Sequence, residues 1–359
     1  MKTALIKQRY DVFGPWSGVL WKDTSPQKLL EVWPVKAVYW ELTCILQADW
    51  YILPPIIKGD YVRDIVRHPG HTQIIEKHTS NILPLEQIPL SDYDLVITLD
   101  PILHPPDLPR TLFAYYAQEH WDRLYKESMV KPLPGYDLFL DHMLDAPADL
   151  RRLPQSLAFP YLYDPQFTRS QFSPPRQDVL WADHRVLFTL AGRHPGELAF
   201  PEAAAAAKRL QKTLGIDVRC RAIQHTKPWG VYDPPLWNDS AQYFQELAQC
   251  KYYVAVGSMA GPGQGFAEAA ALGCLCIGQT DRAYHRLLCH PRCLCGDIAE
   301  MPAKLRVLRA SPDLQQEVLA FQDAALREHF LRRPLALLEQ ALQAKSTNSV
   351  RHSVPAQSR

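Results

Sequence analysis

The sequence has 359 residues, of which 47% are hydrophobic and 21% are charged, and this is the composition of a soluble globular protein with room for two domains. The formal net charge is +1, so no basic surface indicates a nucleic-acid partner, and none is expected. There are eight cysteines. Without a predicted export signal or membrane span, we expect them to be the reduced thiols of a cytoplasmic protein.

Short apolar runs, followed by polar residues and longer connections, indicate a parallel sheet in the first half of the chain. The predicted strands are 3–7, 49–57, 94–99, 111–116 and 136–140. A helix is predicted over 25–48, because Ser25 and Pro26 fit its N-cap and first position, and Pro34 is expected to kink it. These elements predict an N-terminal Rossmann-like domain.

The second half resumes the alternation of strands and helices after a segment rich in proline and aromatic residues, 158–175, where we place the domain boundary. The predicted strands are 186–191, 218–223, 252–256 and 274–277, and the predicted helices are 201–214, 241–250, 302–308, 313–330 and 335–344. The polar residues 345–359 are predicted to be disordered.

The stretch 251–278 carries the strongest pattern, which is a strand, a glycine-rich loop, a helix and a second strand. Four glycines and a proline predict a tight loop over 257–265, followed by a helix over 266–272 with Gly273 at its C-cap. A loop that opens a helix presents backbone N–H groups and the positive end of the helix dipole, and both suit a phosphate. Glu268, expected in the first helical turn, suits a sugar hydroxyl. The alternative is a structural turn without a ligand.

The residues that follow this loop resemble the F-x-E-A-x-A-x-G motif of glycogen-synthase-like glycosyltransferases, which have the GT-B fold. The matching residues are Phe266, Glu268, Ala269, Ala271 and Gly273. The segment 162–167 is similar to the family's interdomain segment, and 190–193 is similar to its Gly-Arg element. The resemblance implies two Rossmann-like α/β domains whose parallel sheets face each other across a cleft, with C-terminal helices that cross back to the first domain.

This resemblance also implies domain bounds and an activity. The bounds are 1–165 for an acceptor domain, 176–325 for a nucleotide-sugar-binding domain, 326–345 for a returning helix and 346–359 for a disordered tail. The implied activity is that of a metal-independent, hexosyltransferase-like glycosyltransferase, as found in polysaccharide biosynthesis. It would move a sugar from a UDP- or GDP-linked donor to a glycan, a lipid-linked sugar or a small molecule, without a further cofactor.

The donor site implied by the resemblance combines the glycine-rich loop with basic side chains that neutralise the diphosphate. Its residues are Gly192, Arg193, Lys227, Gly263, Gln264, Gly265, Phe266 and Glu268. The chain departs from the family at Ala260, where the retaining members have a second glutamate. For that reason the anomeric outcome is not carried over, and Glu268 is assigned to the nucleotide ribose.

A general base for the acceptor hydroxyl is expected from the first domain, at the ends of its strands. Glu119 and His120 follow the predicted strand 111–116, and Asp100 follows the predicted strand 94–99. These three residues are the catalytic candidates. Gly14 and Trp16 lie in the loop after the first strand and are candidates for contacts with the acceptor.

The residues leave other functions open. A nucleotide-sugar epimerase or hydrolase of the same fold would isomerise or release the sugar without an acceptor. A non-catalytic two-domain protein would bind a small ligand without turnover. A peripheral membrane contact through the tryptophans of the first half also stays open. Cys289, His290, Cys293 and Cys295 lack the spacing of zinc ribbons and knuckles, so buried thiols rather than metal ligands are expected there.

Overall fold

The structure is a computed structural model, and it describes residues 1–7, 37–52, 83–99, 106–117, 135–142, 156–183, 186–187, 200–220, 240–256 and 263–352. The chain divides into two compact units. The first comprises Met1–Trp33, Leu42–Pro160 and Arg333–Arg359, and the second comprises Pro34–Glu41 and Tyr161–Arg332. The C-terminal residues thus belong to the same unit as the N-terminal ones.

The first unit contains a sheet of six parallel strands in the order β2-β1-β3-β4-β5-β6. These are β1 (Thr3–Lys7), β2 (Asp49–Ile52), β3 (Leu95–Thr98), β4 (Leu112–Ala117), β5 (Leu138–Asp141) and β6 (Ser156–Ala158). The helix α1 (Ala37–Leu46) precedes β2, and 3-10 turns at Leu85–Gln87 and Leu90–Asp92 precede β3. The described parts of the predicted apolar runs therefore form β1 to β5, whereas β6 was not predicted.

The register of this sheet places apolar residues side by side. Ala4 pairs with Val96, and Leu95 pairs with Leu112. Such strands are covered on both faces, which explains why their sequences are continuous apolar runs rather than alternating ones. One core cluster of buried residues comprises Ala4, Ile6, Ile88, Leu90, Tyr93, Val96 and Phe113.

The second unit contains a sheet of five parallel strands in the order β11-β10-β9-β7-β8. These are β7 (Gln177–Ala182), β8 (Asp217–Arg219), β9 (Cys250–Val254), β10 (Leu275–Gln279) and β11 (Leu294–Cys295). Its helices are α2 (Pro165–Gln171), α3 (Phe200–Leu214), α4 (Ser240–Gln249), α5 (Gln264–Ala271), α6 (Ala283–Leu288), α7 (Met301–Ala310) and α8 (Pro312–Arg327), with 3-10 turns at Pro291–Cys293 and Ile298–Glu300.

The predicted first strand of the second half, 186–191, is wrong at its two described residues. Val186 and Leu187 are helical and buried, and the Val186 N–H donates to the Asp183 carbonyl at 2.9 Å in a turn. The strand is β7, whose four apolar residues come after the polar pair Gln177 and Asp178. A short apolar run does not distinguish a buried strand from a buried helical turn, and here two such runs lie close together in the sequence.

The segment 158–175, where the domain boundary was predicted, contains the helix α2. Asp164 is its N-cap, since the Oδ1 atom accepts from the N–H groups of Gln166 at 2.9 Å and Phe167 at 3.4 Å. Pro165 occupies the first helical position, where its missing N–H costs nothing. The Asp-Pro pair was thus a helix-start signal that the aromatic composition obscured.

The C-terminal residues also differ from the prediction. A π-helical turn at Glu328–Arg332 joins α8 to α9 (Arg333–His352), so residues 345–352, expected to be disordered, are helical. Lys345 forms an ion pair with Asp137 at 2.7 Å within the first unit. This long-range contact stabilises a polar helix whose composition alone predicted disorder. Among the helices that the structure describes, none is long and apolar enough to span a membrane.

Candidate functional site

The order of the second sheet puts its switch point beside the strand that precedes the glycine-rich segment in sequence. All five strands are parallel, but the order in which they are added to the sheet reverses between β7 and β9. These two strands are neighbours in the sheet although β8 separates them in sequence. In open parallel sheets ligands bind outside the carboxyl ends of the strands at such a switch point. β9 ends at Val254, and α5 begins at Gln264 after Gly263. Helix α5 is therefore the next described element after a strand of the switch point.

Helix α5 begins two residues earlier than predicted. Gly263 is its N-cap, with φ 82° and ψ 29°, a left-handed conformation that favours glycine. Gly265, expected in the loop, is helical, and Glu268 lies beyond the first turn rather than within it. The loop residues 257–262 lie outside the described part of the chain.

Two glycines bring this helix close to its supports. A Cβ atom placed on Gly263 would lie 3.1 Å from both Cβ and Cδ2 of Tyr284. A Cβ atom placed on Gly265 would lie 3.0 Å from the hydroxyl of Tyr253. Both distances are shorter than ordinary carbon contacts, so glycine at these positions allows a close approach of backbone to side chain.

Glu268 is a buried residue of α5, and two hydrogen-bond donors orient its carboxylate. Its side chain is 5% exposed. The Tyr243 hydroxyl donates to Oε2 at 3.0 Å, and the Gln264 amide donates to Oε1 at 2.9 Å. These two hydrogen bonds fix the orientation of the carboxylate.

Two tyrosines, Tyr243 and Tyr253, place their hydroxyl groups close to Gly265 at the start of α5. The Tyr243 ring contacts Trp181 edge-to-face, with centroids 5.6 Å apart. Burial raises the pKa of Tyr253 well above its usual value, and Asp183, Tyr243, Cys276 and Glu268 raise it further. The Asp183 N–H donates to the Val254 carbonyl at 3.0 Å, so the carboxyl ends of β7 and β9 are held together at the switch point.

Phe266 and His285 belong to the core below the helix. The two rings lie 4.2 Å apart at 30°, and Tyr253 meets Phe266 edge-to-face at 5.8 Å. The Gln279 N–H donates to Nδ1 of His285 at 3.0 Å. Burial, with the nearby Arg282 and Arg286, lowers the pKa of His285 to about 3. His285 is thus a neutral packing residue, and the assignment of Phe266 to nucleotide binding stays a prediction.

The C-terminal end of α5 is held by two arginines that sequence reasoning missed. Arg169, on α2, donates to the carbonyls of Ala271 at 3.0 Å and Ala270 at 3.2 Å. Arg176 donates to the carbonyl of Leu272. Arg169 also binds both oxygens of Asp323, at 2.9 and 2.5 Å. Cationic side chains here satisfy the last carbonyls and complement the negative end of the helix dipole.

Gly273 completes this end of the helix as predicted. Its φ is +83°, the left-handed conformation of a helix C-cap. A Cβ atom there would lie 2.9 Å from an Arg176 nitrogen and 3.0 Å from Nε of Arg169. The glycine is therefore required both by the backbone conformation and by the guanidinium groups packed against it.

Several predicted site residues lie outside the described residues. These are the catalytic candidates His120, Glu119 and Asp100, the donor residues Gly192, Arg193 and Lys227, the acceptor residues Gly14 and Trp16, and the departing position Ala260. The strands that precede three of these segments end at Lys7, Thr98 and Ala117. In the first sheet the order of strand addition reverses between β1 and β3. The ends at Lys7 and Thr98 therefore flank its switch point.

Two described polar residues mark the carboxyl edge of the first sheet. Asp141 ends β5 and His142 follows it, and both side chains are buried. The ring of His142 meets Tyr116 edge-to-face, with centroids 6.2 Å apart. Polar groups at this edge are where an active site of the first unit is expected.

The cysteine-rich segment of the second unit contains buried thiols. Cys289, Cys293 and Cys295 are buried and form no disulfide. Burial raises the pKa of Cys293 and of Cys295 to about 11, so both are protonated at neutral pH. In the described part of the chain, no group of three or more histidine, cysteine, aspartate or glutamate side chains is arranged to hold a metal ion.

Comparisons with known proteins assign the two sheets to a fold. No protein-family model matches the sequence, and no curated protein matches it significantly. Among solved structures, Anabaena HepE in complex with UDP aligns over 97% of this chain and 100% of its own, with a TM-score of 0.50 and 11% identity.

Two other structures align over nearly their whole length. A glycosyltransferase from Rickettsia africae covers 99% of this chain and 100% of its own, with a TM-score of 0.49 and 8% identity. T4 phage BGT in complex with UDP-glucose covers 97% of this chain and 99% of its own, with a TM-score of 0.44 and 13% identity. At 11% identity, the likeness to HepE concerns the fold alone. The predicted α/β architecture of the GT-B kind is confirmed, by the two parallel sheets and by the HepE alignment.

Proposed function

We propose that the protein is a glycosyltransferase whose second unit binds a nucleotide-sugar donor. The observation that carries the proposal is Glu268, a buried carboxylate fixed by Tyr243 and Gln264 in a helix whose glycine-capped N-terminus follows a strand of the switch point. The helix N-terminus suits the diphosphate, and the carboxylate suits the two ribose hydroxyls. A donor of the form sugar–diphosphate–nucleoside presents these two groups next to each other.

The fold comparison supports this proposal without fixing the ligand. The aligned HepE structure contains UDP, which makes UDP-linked sugars the first donors to test and GDP-linked sugars the second. We further propose that the reaction needs no metal. The diphosphate would be neutralised by Arg193, Lys227 and the N-terminus of α5, and stabilisation of a leaving group by such preorganised charges is an established catalytic strategy.

We assign the acceptor to the first unit. A glycan, a lipid-linked sugar or a small molecule carries the hydroxyl that attacks the anomeric carbon. Glu119, His120 and Asp100 stay the candidates for the base that removes its proton. The support from the fold is that the segments after β3 and β4, which hold these residues, begin at the carboxyl edge of the first sheet.

Donor consumption tests the proposed reaction. The protein is incubated with UDP- and GDP-linked sugars and a mixture of acceptors, and release of the nucleoside diphosphate is measured. We expect release from one donor class, and its loss in Glu268→Ala. Glu317→Ala is the matched control, because this glutamate lies on α8 of the same unit with its side chain 56% exposed.

The products separate the proposal from its rivals. Release that depends on an added acceptor supports transfer. Sugar freed or isomerised at the same rate without any acceptor would identify a hydrolase or an epimerase instead. Binding of the donor with no product of any kind, across the whole acceptor mixture, would favour a non-catalytic binding protein.

A further inference from the structure

Tyr284 supports the N-terminus of α5 directly. It lies in the first turn of α6 with only 2% of its surface exposed. A Cβ atom on Gly263 would come within 3.1 Å of the Tyr284 side chain, so the N-cap of α5 rests on this residue without a gap. A displacement of Gly263 by a bound ligand must therefore be accommodated by Tyr284, because packed interiors have no free volume to absorb it.

The same tyrosine holds two other segments of the second unit. Its hydroxyl accepts from the backbone N–H of Tyr161 at 3.3 Å. Its ring packs on Phe330, with centroids 4.9 Å apart at 35°. The carbonyl of Phe330 in turn accepts from the N–H of Tyr163 at 3.1 Å. Tyr284 is therefore in contact with α5, with the segment 161–163 and with Phe330.

Both of these segments lie where the chain passes from one unit to the other. The second unit begins its main segment at Tyr161 and ends it at Arg332. Phe330 belongs to the π-helical turn Glu328–Arg332. Such turns are rare, and they occur frequently at functional sites. Residues at the ends of elements are also the ones that absorb backbone rotation in hinges.

We propose that Tyr284 is a positioning residue that couples ligand binding at the N-terminus of α5 to the two chain passages that begin and end the main segment of the second unit. This proposal rests on the proposed function, since the ligand in question is the diphosphate of the donor. A diphosphate bound to the amides at the start of α5 bears on Gly263. Tyr284 passes the displacement to the hydrogen bond at Tyr161 and to the ring of Phe330. Coupling between two sites requires such a shared element.

Hydrogen exchange measures this coupling locally. UDP and GDP are added separately at saturating concentration, and exchange is followed in the peptide 159–164, which carries the amides of Tyr161 and Tyr163. We expect bound nucleotide to slow exchange at these amides by at least about threefold, because their partners are stabilised. Tyr284→Phe keeps the ring and removes the hydroxyl, so it should still bind the nucleotide while the response at Tyr161 disappears.

Two further variants guard against a general loss of structure. Phe330→Leu keeps an apolar side chain but removes the stacked ring, and it should lose the response in the same way. Tyr252→Phe is the control, because Tyr252 is equally buried and its hydroxyl interacts with Asp178 and Arg309 rather than with either passage. It should respond as the wild type does.

Turnover provides a second readout that a merely structural role would not move. Tyr284→Phe should lower kcat by about tenfold, the effect expected from one hydrogen bond, and leave the KM for the donor within about twofold. If nucleotide binds and 159–164 exchanges as before in the wild type, the coupling is refuted while the donor site stands. If neither UDP nor GDP binds, the proposed function fails and the coupling fails with it.

Discussion

A single carboxylate, Glu268, carries the candidate site, and its surroundings explain how it would work. The motif that contains Glu268 and Gly273 can be recognised in the sequence because its residues are close together. Tyr243 cannot be recognised in this way, since it lies 25 residues before Glu268 on a helix without a motif. Arg169 is still farther away in sequence, 102 residues from Ala271. Sequence reasoning therefore found the candidate binding residue and missed its supports.

Removing the hydroxyl of Tyr243 should loosen Glu268 and weaken nucleotide binding. Tyr243→Phe leaves one carboxylate oxygen without its oriented donor, and a hydrogen bond of this kind is worth about 0.5–1.5 kcal/mol. We expect the dissociation constant of the nucleoside diphosphate, measured by calorimetry, to rise by about threefold to tenfold. Tyr252→Phe is the matched control. An unchanged dissociation constant in Tyr243→Phe would show that Glu268 does not depend on this tyrosine.

The two roles of Gly263 can be separated by a pair of substitutions. Gly263→Ala places a side chain in the left-handed conformation and against Tyr284, whereas Gly215 has φ +59° and a Cβ atom placed on it would meet nothing within 4 Å. Gly215→Ala should lower the free energy of unfolding by about 1–2 kcal/mol through backbone conformation alone. Gly263→Ala should lower the free energy of unfolding, measured in urea, by more than Gly215→Ala does. Equal losses would contradict the close contact with Tyr284.

Acid should destabilise the second unit through His285. Its pKa is lowered to about 3, so the unfolded chain binds a proton below pH 6.5 that the folded chain does not bind. The stabilisation is complete above that pH and falls as the pH drops from 6.5 towards 3. Between pH 7 and pH 5 the loss from this group is about 2 kcal/mol.

The variant His285→Asn isolates this effect, because the asparagine oxygen can still accept from the Gln279 N–H. Its baseline stability should be lower, but the change between pH 7 and pH 5 in urea unfolding should be smaller than in the wild type. The same pH dependence in both proteins would show that His285 is not the group responsible.

At the scale of the element, α5 is held at both ends. Gly263 on Tyr284 fixes its start, and Arg169 with Arg176 fixes its last carbonyls. Its helical character and its end at Gly273 follow from the sequence, since alanine favours a helix and glycine ends one. Its start was misplaced by two residues, because glycine at position 265 indicated a loop. The close approach to Tyr253, which no local pattern reveals, explains that glycine instead.

Arg169→Ala should destabilise the second unit more than the loss of a surface ion pair would. Arg169 binds two helix carbonyls and both oxygens of Asp323, and its side chain is 32% exposed. We expect a loss of about 1–2 kcal/mol in the free energy of unfolding. Arg292→Ala is the control, because it removes an exposed pair with Glu317 and should cost about 0.5 kcal/mol or less. Similar values for the two variants would contradict the assigned role.

At the scale of the whole molecule, the apolar runs predict most of the strands but miss β6 and β7. Most can be predicted because buried parallel strands need little else from the sequence. The order of the strands is not contained in those runs, since any parallel strand can pair with any other. The switch point between β7 and β9 therefore emerges only from the structure. The helix at 345–352 was not predicted, for a related reason. Lys345 forms an ion pair with Asp137, which is 208 residues away in sequence. The amino-acid composition of the segment cannot reveal such a long-range contact.

The measurement that tests the central claim most directly is a thermal-shift titration with nucleoside diphosphates and nucleotide sugars. Wild type is compared with Glu268→Ala and with the control Glu317→Ala. A ligand at a hundred times its dissociation constant should add about 2.7 kcal/mol of stability. We predict a rise in Tm with one nucleotide class that is lost in Glu268→Ala and kept in Glu317→Ala. No shift with any nucleotide, from a protein that unfolds cooperatively, would contradict the assignment of a donor site to the second unit.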